Sequence, residues 1–201
     1  MQYLGLTLDW DYTECKVHLS MPGYIKNTLI CFSHEPPDKL QMQPYPHTTP
    51  TYGATVQYPK AADLSPAATK AEEKYIWQVI GVLLYYGRAV DATIITGLSS
   101  LAAAQAKPTA HTVFLIKWLL DYVATNLDAI LTYKKSNMVL AVHSDASYLS
   151  KPAAKSQVGG HFFCLSDVSD PPNNGAVLNI SKNTQGHHVL CSQSQTWCPL
   201  H

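Results

Sequence analysis

Residues 138–150 read MVLAVHSDASYLS, an apolar run that alternates like a strand and delivers a single carboxylate, Asp145, near its end. Two later stretches, GGHFFCLS at 159–166 and AVLNISK at 176–182, have the same period of two. Segments rich in Ser, Pro, Asn and Gly separate them, so a three-stranded meander is expected. Upstream of residue 131 the period is helical. Ser65-Pro66 suits a helix start, because serine caps free amides and proline fits the first turn. Beyond it, Ile76, Val79, Ile80, Leu83 and Leu84 recur at helical spacing. A second helix, over about 91–105, carries Ile94, Ile95, Leu98 and Leu101 on one face. A third follows Lys107-Pro108 and sets His111, Phe114, Leu115, Trp118, Leu119 and Tyr122 at i, i+3, i+4 steps. These helices are expected to pack through Ile80, Leu84, Leu98, Leu115 and Trp118. A helical layer followed by a small sheet predicts an α+β chain.

The opening YLGLTLDWDYTECKVHLS has alternating stretches at Tyr3–Asp9 and Lys16–Ser20 joined by a polar segment, which reads as a hairpin, and MPGYIKNTLICF then turns helical. Residues 34–66 contain seven of the thirteen prolines and no period, giving a long ordered loop or a linker. The final stretch, NTQGHHVLCSQSQTWCPLH, has no clear period.

Composition narrows the function classes. Hydrophobic residues make up 46% and charged residues 14% of the 201, enough for a core and unlike a disordered chain. The length allows one or two domains. No apolar run approaches the roughly 20 residues of a membrane-spanning helix, and no secretory leader is visible, so no membrane partner and an intracellular setting, cytoplasm or nucleus, are expected. Five scattered cysteines, an odd number, predict reduced thiols. Fourteen basic residues balance fourteen acidic ones, which argues against strong autonomous grip on a nucleic-acid backbone.

Taken in order, several segments resemble the polyprotein of copia-type LTR retrotransposons, at the end of its reverse transcriptase and the start of its RNase H. YLGLTL and VHLSMPGYI are similar to the segment leaving the polymerase palm. YIWQVIGVLLYYGRAVD is similar to a helix that in the family ends Thr-Arg-Pro-Asp, with Arg88 and Asp91 kept and two other residues between them. KPTAHTVFLIKWLLDYVATNLDAILTY resembles the Pro-x-x-His helix and Leu-x-Tyr exit that lead into RNase H, and HSDASYLS with KSQVGGHFF resembles its first two strands. No piece is specific alone; their order and spacing are.

The resemblance implies a division into 1–130, the reverse transcriptase C-terminal region with palm exit and thumb or connection, and 131–182, a partial RNase H-like sheet. It implies that Asp145 is the first metal-binding and catalytic Asp of an RNase H site, in which four carboxylates hold two Mg²⁺ ions that activate water and stabilise the leaving oxygen. The family's partners are an RNA–DNA hybrid or a primer–template duplex. Its polymerase acids would lie before Met1, and its second RNase H acid is a Glu in a Ser-Ser-x-x-Glu-Ala-Glu helix after the third strand. Past Lys182 this sequence has neither Asp nor Glu. A one-nucleotide shift of the codons for its tail allows Met-Ser-Ser-Ala-Ala-x-Ala-x-Leu-Gly-Ala-Leu, so residues 183–201 read as frameshifted, the change falling between Lys182 and His188. The Gln193 codon followed by a Ser codon then gives Lys, Arg, Asn or Ser, never Glu. The expectation is a degenerate, inactive fragment. The alternatives are a retained nucleic-acid-binding module and an RNase H completed by another chain.

Other residues invite chemistry less strongly. His143 shares a strand face with Asp145 and reads as a partly buried strand residue rather than a metal contact. His187, His188, Cys191 and Cys198 lack paired zinc-ligand spacing. His111 reads as a core histidine, Tyr75, Tyr85, Tyr86 and Trp118 as core rather than base-stacking aromatics, and no serine has the glycine elbow of a nucleophile.

Overall fold

The computed structural model describes residues 1–46, 63–151, 155–166 and 173–184. It is a mixed helix-and-sheet chain with two small antiparallel sheets. The first contains β1 (Gln2–Tyr3), β2 (Leu6–Asp11), β3 (Lys16–Ser20) and β4 (Ile130–Lys134) in that spatial order. The second is the meander β5 (Val139–Lys151), β6 (Lys155–Leu165) and β7 (Ala176–Thr184). Between β3 and β4 in sequence lie α1 (Tyr24–Cys31), α2 (Lys70–Ala89), a single 3₁₀ turn at Ala92–Ile94, α3 (Ile95–Ala104) and α4 (Ala110–Thr125). The hairpin, the helices and the meander follow the periods of the sequence. The tail from 185, with His187, His188, Cys191 and Cys198, lies outside the described residues, as does the middle of the proline-rich segment.

One apolar core holds the four helices together. Ile25 and Leu29 of α1, Ile76, Val79, Ile80, Leu83 and Tyr86 of α2, Leu98 and Leu101 of α3, and Leu115, Ile116, Leu119, Leu120 and Val123 of α4 are buried in one cluster, with Leu6 and Leu131 reaching it from the first sheet. Full burial of each large side chain is worth roughly 1.5–3 kcal/mol. Tyr86 is fully buried, stacks on Tyr24 with ring centroids 5.6 Å apart, and accepts a hydrogen bond from the Ala129 amide. Burial pushes its phenol pKa up.

Four local expectations are corrected. Helix α2 begins at Lys70 rather than at Ser65-Pro66. Pro66 and Ala68 instead exchange backbone hydrogen bonds with Ala110 and Pro108, and a capping box between Thr69 and Glu72 starts the helix. On α2, Leu83 is fully buried while Leu84 is only half-buried. On α4 the buried stripe is Thr112, Leu115, Ile116, Leu119, Leu120 and Val123, so His111 is not a core histidine and Trp118 is half-buried. His111 stacks on Phe114, which is tilted against Trp118 in a row outside it, and the Trp118 indole N–H donates to the Gln43 carbonyl at 2.8 Å. That bond, with Gln41 N–H to Thr125 Oγ1 at 3.1 Å and His34 Nε2 against Asp121 Oδ1 at 2.8 Å, straps part of the chain after α1 along α4. Tyr85 is exposed, with its hydroxyl on the Leu4 carbonyl, and Tyr75 is half-buried.

Asp63 links acidity to stability at the start of α4. The Thr109 hydroxyl donates to its carboxylate, and this bond, reinforced by Ser65, holds the Asp63 pKa at about 2 against an ordinary 3.8. A depressed folded-state pKa contributes stability that is complete above the unfolded value and disappears as pH falls from about 4 through about 2. Thermal melts between pH 2 and 6 should therefore show wild type above Asp63→Asn at pH 6, the two converging near pH 2. A gap that does not close on acidification would refute the link.

The second sheet has a small core of its own, Ala141, Phe163 and Leu165 with Val139 beside them. Its other face carries Leu140, Val142, Phe162, Leu178 and Ile180, of which Leu140 is 38% and Leu178 50% exposed. Phe162 lies over Gly160, where an added Cβ would meet its ring at 3.0 Å. The sheet is tied to β4 through Asn174. Its side-chain amide accepts from Lys134 N–H at 2.7 Å and donates to the Lys134 and Cys164 carbonyls at 2.9 and 2.7 Å. The Tyr133 hydroxyl donates to the Ala176 carbonyl at 2.7 Å. At Gly175 the backbones come so close that a Cβ would sit 2.8 Å from both the Thr132 carbonyl oxygen and the Tyr133 ring.

The candidate site around Asp145

Antiparallel register fixes what shares a face with Asp145. It stands opposite Gly159, which stands opposite Ser181; two pairs further along, and so on the same face, His143 faces His161, which faces Asn179. Because alternate residues point the same way, this face is polar around Asp145, His143, His161, Asn179 and Gln157, and becomes apolar toward Ala141, Phe163 and Leu165. The expected placement of His143 beside Asp145 on one face therefore holds, although His143 is exposed rather than partly buried.

Asp145 is exposed, and its Oδ1 accepts a hydrogen bond from the Ala146 amide at 2.8 Å, as a short acid at a strand position commonly does with its own backbone. Among the described residues, no group of three or more His, Cys, Asp or Glu side chains is placed to hold a metal ion. The donors near Asp145 are imidazoles and amides, a set that does not fit a pair of Mg²⁺ ions, which require several carboxylate oxygens together.

The imidazoles are the more organised feature. His143 stacks on Phe163 with centroids 5.0 Å apart, His161 is tilted against the same ring at 5.1 Å, and the two imidazoles are 6.4 Å apart and nearly parallel. His161 Nδ1 lies 2.7 Å from Asn179 Oδ1. An amide oxygen only accepts, so Nδ1 is the donor in this contact, and in the neutral ring that leaves the lone pair on Nε2. Gln157 donates to Ser181 Oγ at 3.0 Å on the same face. His161 and Asn179 escaped the sequence reading because their meeting with His143 depends on strand register, which is shifted between Ser147 and Lys151 by an irregularity that no residue pattern announces.

Asp91 has a structural position: it is buried and its carboxylate accepts from the backbone amide and the hydroxyl of Thr93, whose hydroxyl also meets Tyr122. Elsewhere, Lys70, Glu73, Lys74, Trp77 and Gln78 line a shallow depression on the outer face of α2, with Trp77 62% exposed. No described helix is long and apolar enough to cross a membrane. Comparison with protein-family models, with curated proteins and with solved structures finds no match.

Proposed function

We propose that this chain is a degenerate piece of a copia-type retrotransposon polyprotein, spanning the junction of reverse transcriptase and RNase H, with no catalysis of its own. The observation that carries this reading is the order of parts: a hairpin, a helical layer, then a three-stranded meander whose first strand bears Asp145, in a sequence with no Asp or Glu after Lys182. In this reading 1–130 derive from the palm exit and thumb or connection, 131–182 from an RNase H sheet, and 183–201 from a shifted frame. Asp145 is the ancestral metal ligand. One carboxylate holds hydrated Mg²⁺ weakly and cannot fix two ions the ~3.5–4 Å apart that two-metal hydrolysis needs.

Two experiments test this. The purified chain should leave an RNA–DNA hybrid intact in Mg²⁺ or Mn²⁺, and Asp145→Asn should change nothing; cleavage that Asp145→Asn abolishes would establish an active RNase H instead. Sequencing the surrounding locus should reveal polymerase-type acids upstream and the rest of RNase H in another frame downstream, and an unrelated flanking frame would overturn the origin. Any duplex binding should be weak and salt-sensitive, on the order of 10⁻⁴–10⁻⁶ M, with Lys70, Lys74 and Trp77 offering the cations and exposed ring for it.

A further inference from the structure

We infer that His143 and His161 form a two-imidazole site for a borderline divalent cation of the Zn²⁺ class on the polar half of the second sheet. The inference is independent of the chain's origin and of any RNase H chemistry, since it uses nitrogen donors in place of carboxylates. The two residues are directly opposed across β5 and β6, so their Cα positions are fixed by backbone pairing rather than by a loop. Phe163, fully buried, lies beneath both rings at 5.0 and 5.1 Å and limits how far either can turn.

Asn179 supplies what a bound histidine needs from its surroundings. By taking the Nδ1 proton of His161 it sets the tautomer that presents Nε2 as a donor, the role an outer hydrogen-bond acceptor plays behind a ligating imidazole. Two imidazoles bound to one ion at ~2.0–2.1 Å per nitrogen hold their ring centres roughly 5–6 Å apart. The observed 6.4 Å lies just outside that range, so binding draws the two rings together. His143 is exposed, which gives the ion a path from water, and Asp145 two residues along places a negative charge on the same face. Water completes the coordination. Imidazole nitrogen suits Zn²⁺ and discriminates against Mg²⁺, which prefers oxygen.

The test is thermal melting of the full chain with Zn²⁺ or Mg²⁺. An ion that binds only the folded sheet raises the midpoint, by about 3–6 °C at ten times its dissociation constant for a chain of this size. Zn²⁺ should produce this rise and Mg²⁺ at the same concentration should not. His143→Ala and His161→Ala should each abolish the rise, judged against each variant's own metal-free midpoint so that a change in baseline stability does not matter. Asn179→Ala should weaken the apparent affinity about tenfold. The variant His187→Ala/His188→Ala should respond like wild type. A missing Zn²⁺ response, an equal response to Mg²⁺, a rise that survives loss of either His143 or His161, or one that vanishes with His187 and His188 would each overturn the site.

Discussion

Leu83→Asp is expected to abolish the cooperative melting transition of the helical core and most of the helical circular dichroism at 25 °C. Leu83 is fully buried in the cluster shared by α1, α2, α3 and α4. Losing a buried leucine costs about 2–5 kcal/mol, and an unpaired carboxylate placed there adds several more. That sum equals or exceeds much of the ~5–15 kcal/mol by which a domain is stable. The adjacent Leu84→Asp should keep the fold, because half-buried Leu84 lets a new carboxylate reach water. Circular dichroism and melting curves of the two variants separate these outcomes. If Leu84→Asp unfolds the chain and Leu83→Asp does not, the core assigned to α2 is wrong.

Gly175→Val is expected to have the next largest effect, separating the second sheet from β4. A Cβ at this position would overlap the Thr132 carbonyl oxygen and the Tyr133 ring at 2.8 Å, the first a backbone atom and the second part of a rigid ring. Relief requires the segment to move off β4, which breaks the two Asn174–Lys134 hydrogen bonds and the Tyr133 hydroxyl bond. At a net ~0.5–1.5 kcal/mol for each bond, the loss is about 1.5–4.5 kcal/mol before strain is counted. Amide exchange should then accelerate in β5, β6 and β7 while α2 and α4 keep their protection. Asn174→Ala, which removes the bonds without the overlap, should give the same pattern at smaller amplitude. Uniform exchange across both regions would mean that Asn174 and Gly175 do not join them.

Much of this architecture was legible because it follows local period. The alternation of Val139–Val142 and Ala176–Ile180, and the spacing of Ile76, Val79, Ile80 and Leu83, lead directly to β5, β7 and α2. The start of α2 was not, because Ser65-Pro66 looks like a cap locally and is outcompeted by backbone pairing with a segment more than forty residues away. The buried face of α4 was misplaced by one position because its sequence is apolar nearly all round: Phe114 and Trp118 are as hydrophobic as Ile116 and Leu120, and only tertiary packing chooses between them. β4 follows the same logic. Ile130–Lys134 is too short to declare itself and becomes a strand by pairing with β3. At the candidate site, Asp145 and His143 could be placed on one face from period alone, whereas His161 and Asn179 enter through register and so required coordinates.

The two outer strands of the meander also bear on how such a chain behaves while it is being made. β5 and β7 end the sheet on either side, 13 and 9 residues long, so among the described residues each has a row of backbone donors and acceptors with no neighbouring strand. Above those rows lie the half-open apolar side chains of Leu140 and Leu178. Long strand edges beside greasy surface are templates on which another extended chain can add, and β5 is the more open of the two because α3 lies against β7. Crowding many copies together therefore favours self-association through this sheet, and quality-control factors that grasp extended apolar segments meet a ready substrate in it.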